Sequence, residues 1–385
     1  MSQSIFASRT SWVYFVVIFF ASSTMAMFLP VSSLFLSRGV GASGWEIGAF
    51  FTVHGVLSIL VSQLVAKYSD IAGNRRNIIL FGCFSGALAC LGFAFIRSYW
   101  VLAVAVNFLY CFASVAGQVF ASGREYSRHK GGDPVFFTSV MRAFFALAWV
   151  IGPPAVMIIL EKSGFTVVYL CSCAVFLAAM TVVFFLMPSS DFGRDRKEAR
   201  SAKLFAEPSV LVLCMVNLLV FACNNMYIIA MPQYVTGELN LETRYVGIFM
   251  ATAAGLEIPC MLISGWLARK LHMKYILIVA TASGFLYYIA ISCATTLAQF
   301  WCAQIANAVC IGIVTSLLMV YFQEMLPRIP GQATTLFSSS ISVGNILSGA
   351  LCGFILENAG SVAVFNAAVA LNFLASVLMC FVRKI

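Results

Sequence analysis

Charge is scarce in this chain. Only 10% of its 385 residues are Asp, Glu, Lys or Arg, against roughly 25% in an ordinary soluble domain. Acids are the scarcer sign, with 14 Asp+Glu against 23 Lys+Arg and a formal net charge of +9. Proline is sparse at 10 residues, and no run alternates apolar and polar positions with period two, which excludes a β-barrel. Apolar bulk fills the space left by these absences: 62% of the residues are hydrophobic, and 35 residues are Phe. A soluble fold would have to expose such material as large apolar patches. A soluble enzyme, a nucleic-acid-binding domain and a disordered chain are therefore excluded. Lipid is the solvent this composition asks for.

A spanning helix needs roughly 20 mostly apolar residues. Twelve such stretches occur, at 12–36, 45–66, 77–96, 99–122, 135–160, 165–187, 208–234, 244–268, 275–293, 298–323, 333–356 and 361–382. The expected fold class is an all-α integral membrane protein with twelve transmembrane helices. The first stretch carries Pro30, is too long for a cleaved leader and lacks a small-residue cleavage site, so it is expected to remain as a span. The longest polar interruption, 188–207, divides the chain into a six-helix bundle at 1–187, a solvated linker, and a second six-helix bundle at 208–385. The thirteen cysteines lie almost entirely within spans, and Cys171/Cys173 is their only close pair. Neither a disulfide framework nor a zinc spacing follows from that pattern, and no metal or cofactor is expected.

Orientation follows from the basic residues, which favour the cytoplasmic side. With the N-terminus inside, 18 of the 23 Lys+Arg fall in cytoplasmic segments and four outside, with Arg142 inside a span. Both termini are expected to be cytoplasmic.

Between the second and third stretches the chain reads Ala66-Lys-Tyr-Ser-Asp70-Ile-Ala-Gly73-Asn-Arg75-Arg76. This resembles the signature loop of the major facilitator superfamily, with Asp70, Gly73, Arg75 and Arg76 in register. Ala66 stands where the family has Gly, and Ile71 where it has a base. The resemblance implies a conformational latch, in which a carboxylate meets nearby Arg and the positive N-terminus of a helix in one access state only. The segment Gly265-Trp-Leu-Ala-Arg269-Lys270 echoes the motif without its Asp, as a duplicated six-span unit would.

Further segments narrow the resemblance. Ser139-Val-Met-Arg142 through Trp149 to Gly152-Pro153-Pro154, Gly255-Leu-Glu257-Ile-Pro259 and Ala333-Thr-Thr-Leu-Phe337 are similar to the bacterial sugar efflux transporter family. That family implies export of sugars or glycosides by proton exchange, in a bacterial inner membrane, by a functional monomer whose partners are sugar, protons and the lipid bilayer, with no nucleic acid. In the lactose permeases a Glu at the end of helix 4, an Arg on helix 5 and a Trp seven residues later hold the sugar. Glu125, Arg142 and Trp149 have the same arrangement, while Gln304 and Asn307 stand where the permeases have a His and a carboxylate.

Polar side chains inside a membrane are costly, roughly 2.5–3.5 kcal/mol for a central charge, so each needs a reason. Arg142 can donate several hydrogen bonds to hydroxyls, and Trp149, two turns further, can stack on a pyranose face. Glu125 can accept from sugar hydroxyls and neutralise Arg142; the plainer alternative is an Arg142–Glu125 strut with Trp149 in the core. Asn107, Gln118 and Glu125 share one face of span 4. Asn217, Asn224, Asn225 and Tyr227 on span 7, and Gln304 and Asn307 on span 10, are uncharged groups suited to polyhydroxyl ligands; Asn345 on span 11 is a possible addition. Amides of this kind also serve simply as glue between helices.

Glu257 sits at the middle of span 8 with no basic residue in that span's interior. A carboxyl there could load and release a proton as water access alternates, bind sugar directly, or pack as a hydrogen-bonded group. His54 in span 2 is the other titratable candidate for proton coupling. An exporter of amphipathic drugs and a proton-coupled sugar uptake symporter are the competing functions for the same fold. On orientation the expected outcome is simple: a reporter fused after Arg200 reads cytoplasmic and one near Glu238 reads external. A swapped pattern would overturn the charge argument.

Overall fold

The computed structural model of the chain describes residues 8–72, 75–188, 208–326 and 330–383. In hydrocarbon every backbone N–H and C=O must be satisfied within the protein, which leaves a spanning helix few alternatives. Among the described residues ten helices are long and apolar enough to cross a membrane, and no strand occurs. In chain order they begin with α1 (Arg9–Val40), α2 (Gly44–Ala72), α3 (Arg75–Phe95) and α4 (Val101–His129).

The next helix, Pro134–Leu186, runs 53 residues. At 1.5 Å per residue that is about 80 Å, far beyond a hydrocarbon core of roughly 30 Å. It is interrupted at Gly164, where φ is 78° and ψ 177°, a conformation essentially reserved for glycine. The break gives α5 (134–163) and α6 (165–186). There follow α7 (Pro208–Glu238), α8 (Arg244–Leu267), α9 (Met273–Ser292) and α10 (Leu297–Met325). The last helix, Pro330–Phe381, is 52 residues long and breaks in the same way at Gly360, φ 77° and ψ −178°, into α11 (330–359) and α12 (361–381). Divided at these two glycines, the ten long helices become twelve segments. The gaps expected between 160 and 165 and between 356 and 361 hold the two glycines. Spans 2 and 4 run further than their apolar stretches, to Ala72 and His129, span 4 doing so across a break in the helix at Ala113–Val115.

Two compact units result: Met1–Gly41 with Val56–Arg196, and Ala42–Gly55 with Lys197–Ile385. The core of the first draws on α1, α3, α4, α5 and α6, with Tyr14, Ile79, Val119, Phe137, Met141 and Val183 among its buried members. The core of the second draws on α7, α9, α10, α11 and α12.

Each unit repeats details of the other. Ser85 on α3 donates to the Leu109 carbonyl at 2.8 Å, and Ser283 on α9 donates to that of Ala306 at 2.9 Å. Arg76 at the start of α3 donates to carbonyls at the end of α6, while Lys274 at the start of α9 donates to the Cys380 carbonyl at the end of α12. Wider π-turns close α1 at Phe35–Val40 and α7 at Tyr234–Glu238.

Within the second unit, the first turns of α2 lie directly on α11. A Cβ placed on Gly353 would come 2.5 Å from the Gly48 Cα, and one on Gly349 would come 2.7 Å from the Thr52 nitrogen, so only hydrogen fits. Glu357 completes the seam, its Oε2 accepting from the backbone N–H of Gly44 at 2.7 Å and of Trp45 at 3.4 Å.

Gly164 has open space where a side chain would go, so backbone conformation alone opposes substitution there. Gly164→Ala should cost about 1–3 kcal/mol, seen as a lower melting temperature in detergent. Gly117→Ala, at a helical position that is equally open, should be neutral or slightly stabilising. Equal behaviour of the two variants would contradict the argument.

Candidate functional site

In the first unit α4 carries Gln118 and Glu125 two turns apart, facing the first residue of α3. Arg75 donates from Nε and Nη2 to the Glu125 carboxylate, at 3.0 Å to Oε2 and 2.8 Å to Oε1, and from Nη1 to Gln118 Oε1 at 2.7 Å. The two ionic side chains are only 20% and 27% exposed. A planar guanidinium fork fits this arrangement, and an ammonium would not.

This pairing differs from the expected one. Glu125 was expected to neutralise Arg142, but its carboxylate is engaged by Arg75. The reason is reach: the Arg75 fork at the start of α3 spans both carboxylate oxygens and the Gln118 amide two turns away. Arg142 on α5 lies exposed, with like-charged Arg124 of α4 close enough to repel it. Trp149 follows two turns later, half-buried beside the buried Ala148. One turn further, Gly152 lets α5 approach α1, where a Cβ would come 2.9 Å from that of Ala26. Asn107 is fully buried and donates to the Ala103 carbonyl of its own helix at 3.3 Å.

Of the loop signature, Gly73 and the side chain of Asp70 lie outside the described residues. Arg76 donates from Nε to the Val183 carbonyl at 3.2 Å and from Nη2 to that of Phe184. It thereby satisfies the last carbonyls of α6, as basic side chains do at helix C-termini. The two arginines thus hold separate partners inside the first unit.

In the second unit the amides divide by role. Asn217 Nδ2 donates to the Phe337 carbonyl at 2.8 Å and to Ser340 Oγ at 2.7 Å. Asn225 repeats this eight residues on, donating to the Asn345 carbonyl at 3.4 Å and Ser348 Oγ at 2.7 Å. Both therefore fasten α7 to α11. Gly344 lies between the two rungs, where a Cβ would come 2.6 Å from the Leu218 carbonyl oxygen. Asn224 is half-buried and has no hydrogen bond among the described residues. On α10, Asn307 Nδ2 donates to Gln304 Oε1 at 3.3 Å, and both residues are buried.

Glu257 lies half-buried on α8, and among the described residues no hydrogen bond or ion pair engages its carboxylate. Helix α10 comes close to it at Gly312, where a Cβ would sit 2.9 Å from the Glu257 carbonyl oxygen. His54 is half-buried on α2, in the segment Ala42–Gly55 that clusters with the second unit. Two features escaped sequence reasoning, the Arg75–Glu125 pair and the Asn–Ser rungs. The second had a signal: Asn217/Asn225 and Ser340/Ser348 share the same eight-residue spacing.

Chemically, the first unit presents charge and an indole, and the second presents neutral amides and a carboxyl that no ion pair engages among the described residues. If Arg75 and Glu125 act as a pair, thermal unfolding of Arg75→Gln, Glu125→Gln and the double variant in detergent should be strongly non-additive. A coupling of about 1 kcal/mol is expected for a close, partly buried pair. Additive losses would sink the pairing.

Comparison with known proteins places this geometry. Sugar efflux transporter A of Dickeya chrysanthemi is 37% identical over 382 residues, covering 98% of this chain and 96% of that protein. Sugar efflux transporter B of Salmonella typhimurium is 38% identical over 355 residues, covering 90% and 89%. Among solved structures, a mutant of the nucleoside transporter NupG superposes with a TM-score of 0.84 at 12% identity, covering 98% of this chain and all of that one. A bacterial homolog of the human lysosomal transporter Spinster superposes with a TM-score of 0.78 at 13% identity, covering 98% and 97%. At such identities the likeness concerns the fold alone. The family model of the Major Facilitator Superfamily matches residues 14–334, and the chain belongs to that superfamily.

Proposed function

We propose that this protein is a secondary active exporter of sugars or glycosides, working by alternating access with proton antiport in a bacterial inner membrane. The observation that carries the reading is the near-complete alignment with relatives named sugar efflux transporters, at 37–38% identity. The site supports it. Trp149 offers an aromatic face and Arg142 a fork of donors, a combination suited to a pyranose ring and its hydroxyls. Gln118, Glu125, Asn224, Gln304 and Asn307 are the further sugar-contacting candidates, while Asn225 contributes by holding α7 in place. Arg75 and the sugar compete for Glu125 in this reading. Both termini face the cytoplasm, the chain acts as a monomer, and Asp70 with Gly73, Arg75 and Arg76 forms the conformational latch.

Glu257 carries the proton, with His54 as the second titratable group. Among the described residues no ion pair neutralises its carboxyl, so its charge state is left to water access, which differs between access states. A carrier of this kind is a transporter and not an enzyme: its cycle leaves the sugar chemically unchanged, and the only bond made and broken is the O–H of the proton carrier.

The test is uptake of radiolabelled glycosides by inverted vesicles, with and without a pH gradient. Wild type should accumulate label only with the gradient. Trp149→Ala should weaken binding about tenfold or more, equivalent to about 1.4 kcal/mol. Glu257→Gln cannot titrate, so gradient-driven accumulation should vanish while exchange of sugar for sugar persists. Loss of both activities would assign Glu257 to sugar binding, and unchanged accumulation would remove it from coupling. Wild-type vesicles that move no saccharide would overturn the function itself.

A further inference from the structure

The segment 265–270 echoes the loop signature with its charge reversed. Aligned on Gly265, Arg269 falls where the first loop has Asp70, and Lys270 follows it. No acid occurs between Glu257 and Glu324, so nothing along this stretch of chain offsets Arg269, Lys270 and Lys274. Among the described residues no ion pair engages any of the three. A turn of this kind has no carboxylate with which to form a latch, and its positive charge is left for another use.

The surroundings of the turn are layered. Leu262, Trp266 and Lys270 are spaced by four residues, which puts them in one stripe along α8 and its extension. Lys270 Nζ lies 4.0 Å from the centre of the Trp266 ring, so the stripe continues past the end of the helix at Leu267. Leu271, Tyr275 and Val279 repeat the spacing on α9, running inward from the turn. The apolar and aromatic members of both stripes are each more than half exposed. The turn that carries them is fixed from within. Leu267, Ala268 and Met273 pack on the core of the second unit, and Lys274 Nζ donates to the Cys380 carbonyl at 2.7 Å. The N–H groups of Lys270 and Leu271 donate to the Leu267 carbonyl at 2.9 and 2.8 Å.

Each layer matches one part of a phospholipid. Leu262 and Val279 lie in the spanning parts of their helices, where acyl chains are the solvent. Trp266 and Tyr275 come next, as amphipathic rings do at headgroup level. Arg269 and Lys270 come last, where the phosphates of a bilayer lie. A soluble partner would find the aliphatic part of this surface covered by lipid. A zwitterionic headgroup brings its own cation, whereas an anionic one leaves its phosphate to the bases of the protein.

We propose that the turn between α8 and α9 binds an anionic phospholipid, its phosphate held by Arg269 and Lys270, its glycerol region flanked by Trp266 and Tyr275, and its chains lying along Leu262 and Val279. This site needs only the membrane-spanning fold, whatever substrate is transported.

The test is equilibrium binding of radiolabelled phosphatidylglycerol to the full-length protein in detergent. Unlabelled phosphatidylglycerol should displace the label, while phosphatidylcholine of matched chains and inorganic phosphate should not. A base beside an anionic lipid surface is worth roughly fivefold in affinity, so Arg269→Gln/Lys270→Gln should weaken binding about 25-fold. Arg128→Gln/Lys130→Gln removes the same charge from another exposed loop and should bind as wild type does. Trp266→Ala, which removes the ring under Lys270, should weaken binding about threefold, and Trp266→Phe by less. Arg269 and Lys270 are exposed, so the melting temperature of their double variant should match wild type. Displacement of the label by phosphatidylcholine at equal concentration would overturn the site, since no preference for an anionic headgroup would remain. Displacement by inorganic phosphate would overturn it in favour of a free-anion site. Equal losses in the two double variants would also overturn it, by showing that net charge alone attracts the lipid.

Discussion

The hydrogen-bonding capacity of the backbone in a solvent that offers none is the constraint behind this structure. Helices satisfy it internally, and the side chains have been recruited to the same end. Hydroxyls of Ser32, Thr52, Ser172, Thr236 and Thr281 donate to the carbonyl four residues earlier on their own helix. Where the helices break, the orphaned groups find replacements: the N–H of Ser361, just after Gly360, is taken by Glu238 at 2.8 Å. Arg76 and Lys274 serve the carbonyls at the other ends of α6 and α12.

The same economy is visible twice along the chain. Gly360 follows Gly164 by 196 residues, Ser283 follows Ser85 by 198, and the π-turn at Tyr234 follows that at Phe35 by 199. Corresponding positions carry corresponding backbone duties. Side-chain chemistry differs between the units at positions that do not correspond: the first places an arginine fork on Glu125, and in the second no ion pair engages Glu257 among the described residues.

Much of this was legible in the residues. Apolar runs of roughly 20 residues mark spans because the membrane thickness sets their length, and both glycine breaks fall in the short gaps between runs. Side-chain pairing was less legible. Arg75 and Glu125 lie fifty residues apart, and a charge in a sequence announces its cost without naming its partner. Periodicity puts Asn217 and Asn224 on one face of α7 but does not say what that face meets. Asn217 in fact turns to α11, as does Asn225, and Asn224 does not. The assignment of Ala42–Gly55 to the second unit depends on close glycine contacts, which leave no trace in composition.

Those glycine contacts carry a consequence for how the protein can change. Most helix interfaces are adjustable in increments, since a methyl group added or removed shifts the fit by a small step. Where Gly48 meets Gly353, main chain lies against main chain, and there is no increment to make. Each position admits hydrogen or nothing, so selection cannot grade the strength of this seam through the residues that form it. Any descendant that holds α2 to α11 more or less firmly must alter something beside the seam, such as the Glu357 carboxylate that caps it. The glycines themselves are frozen while their neighbours are free to drift.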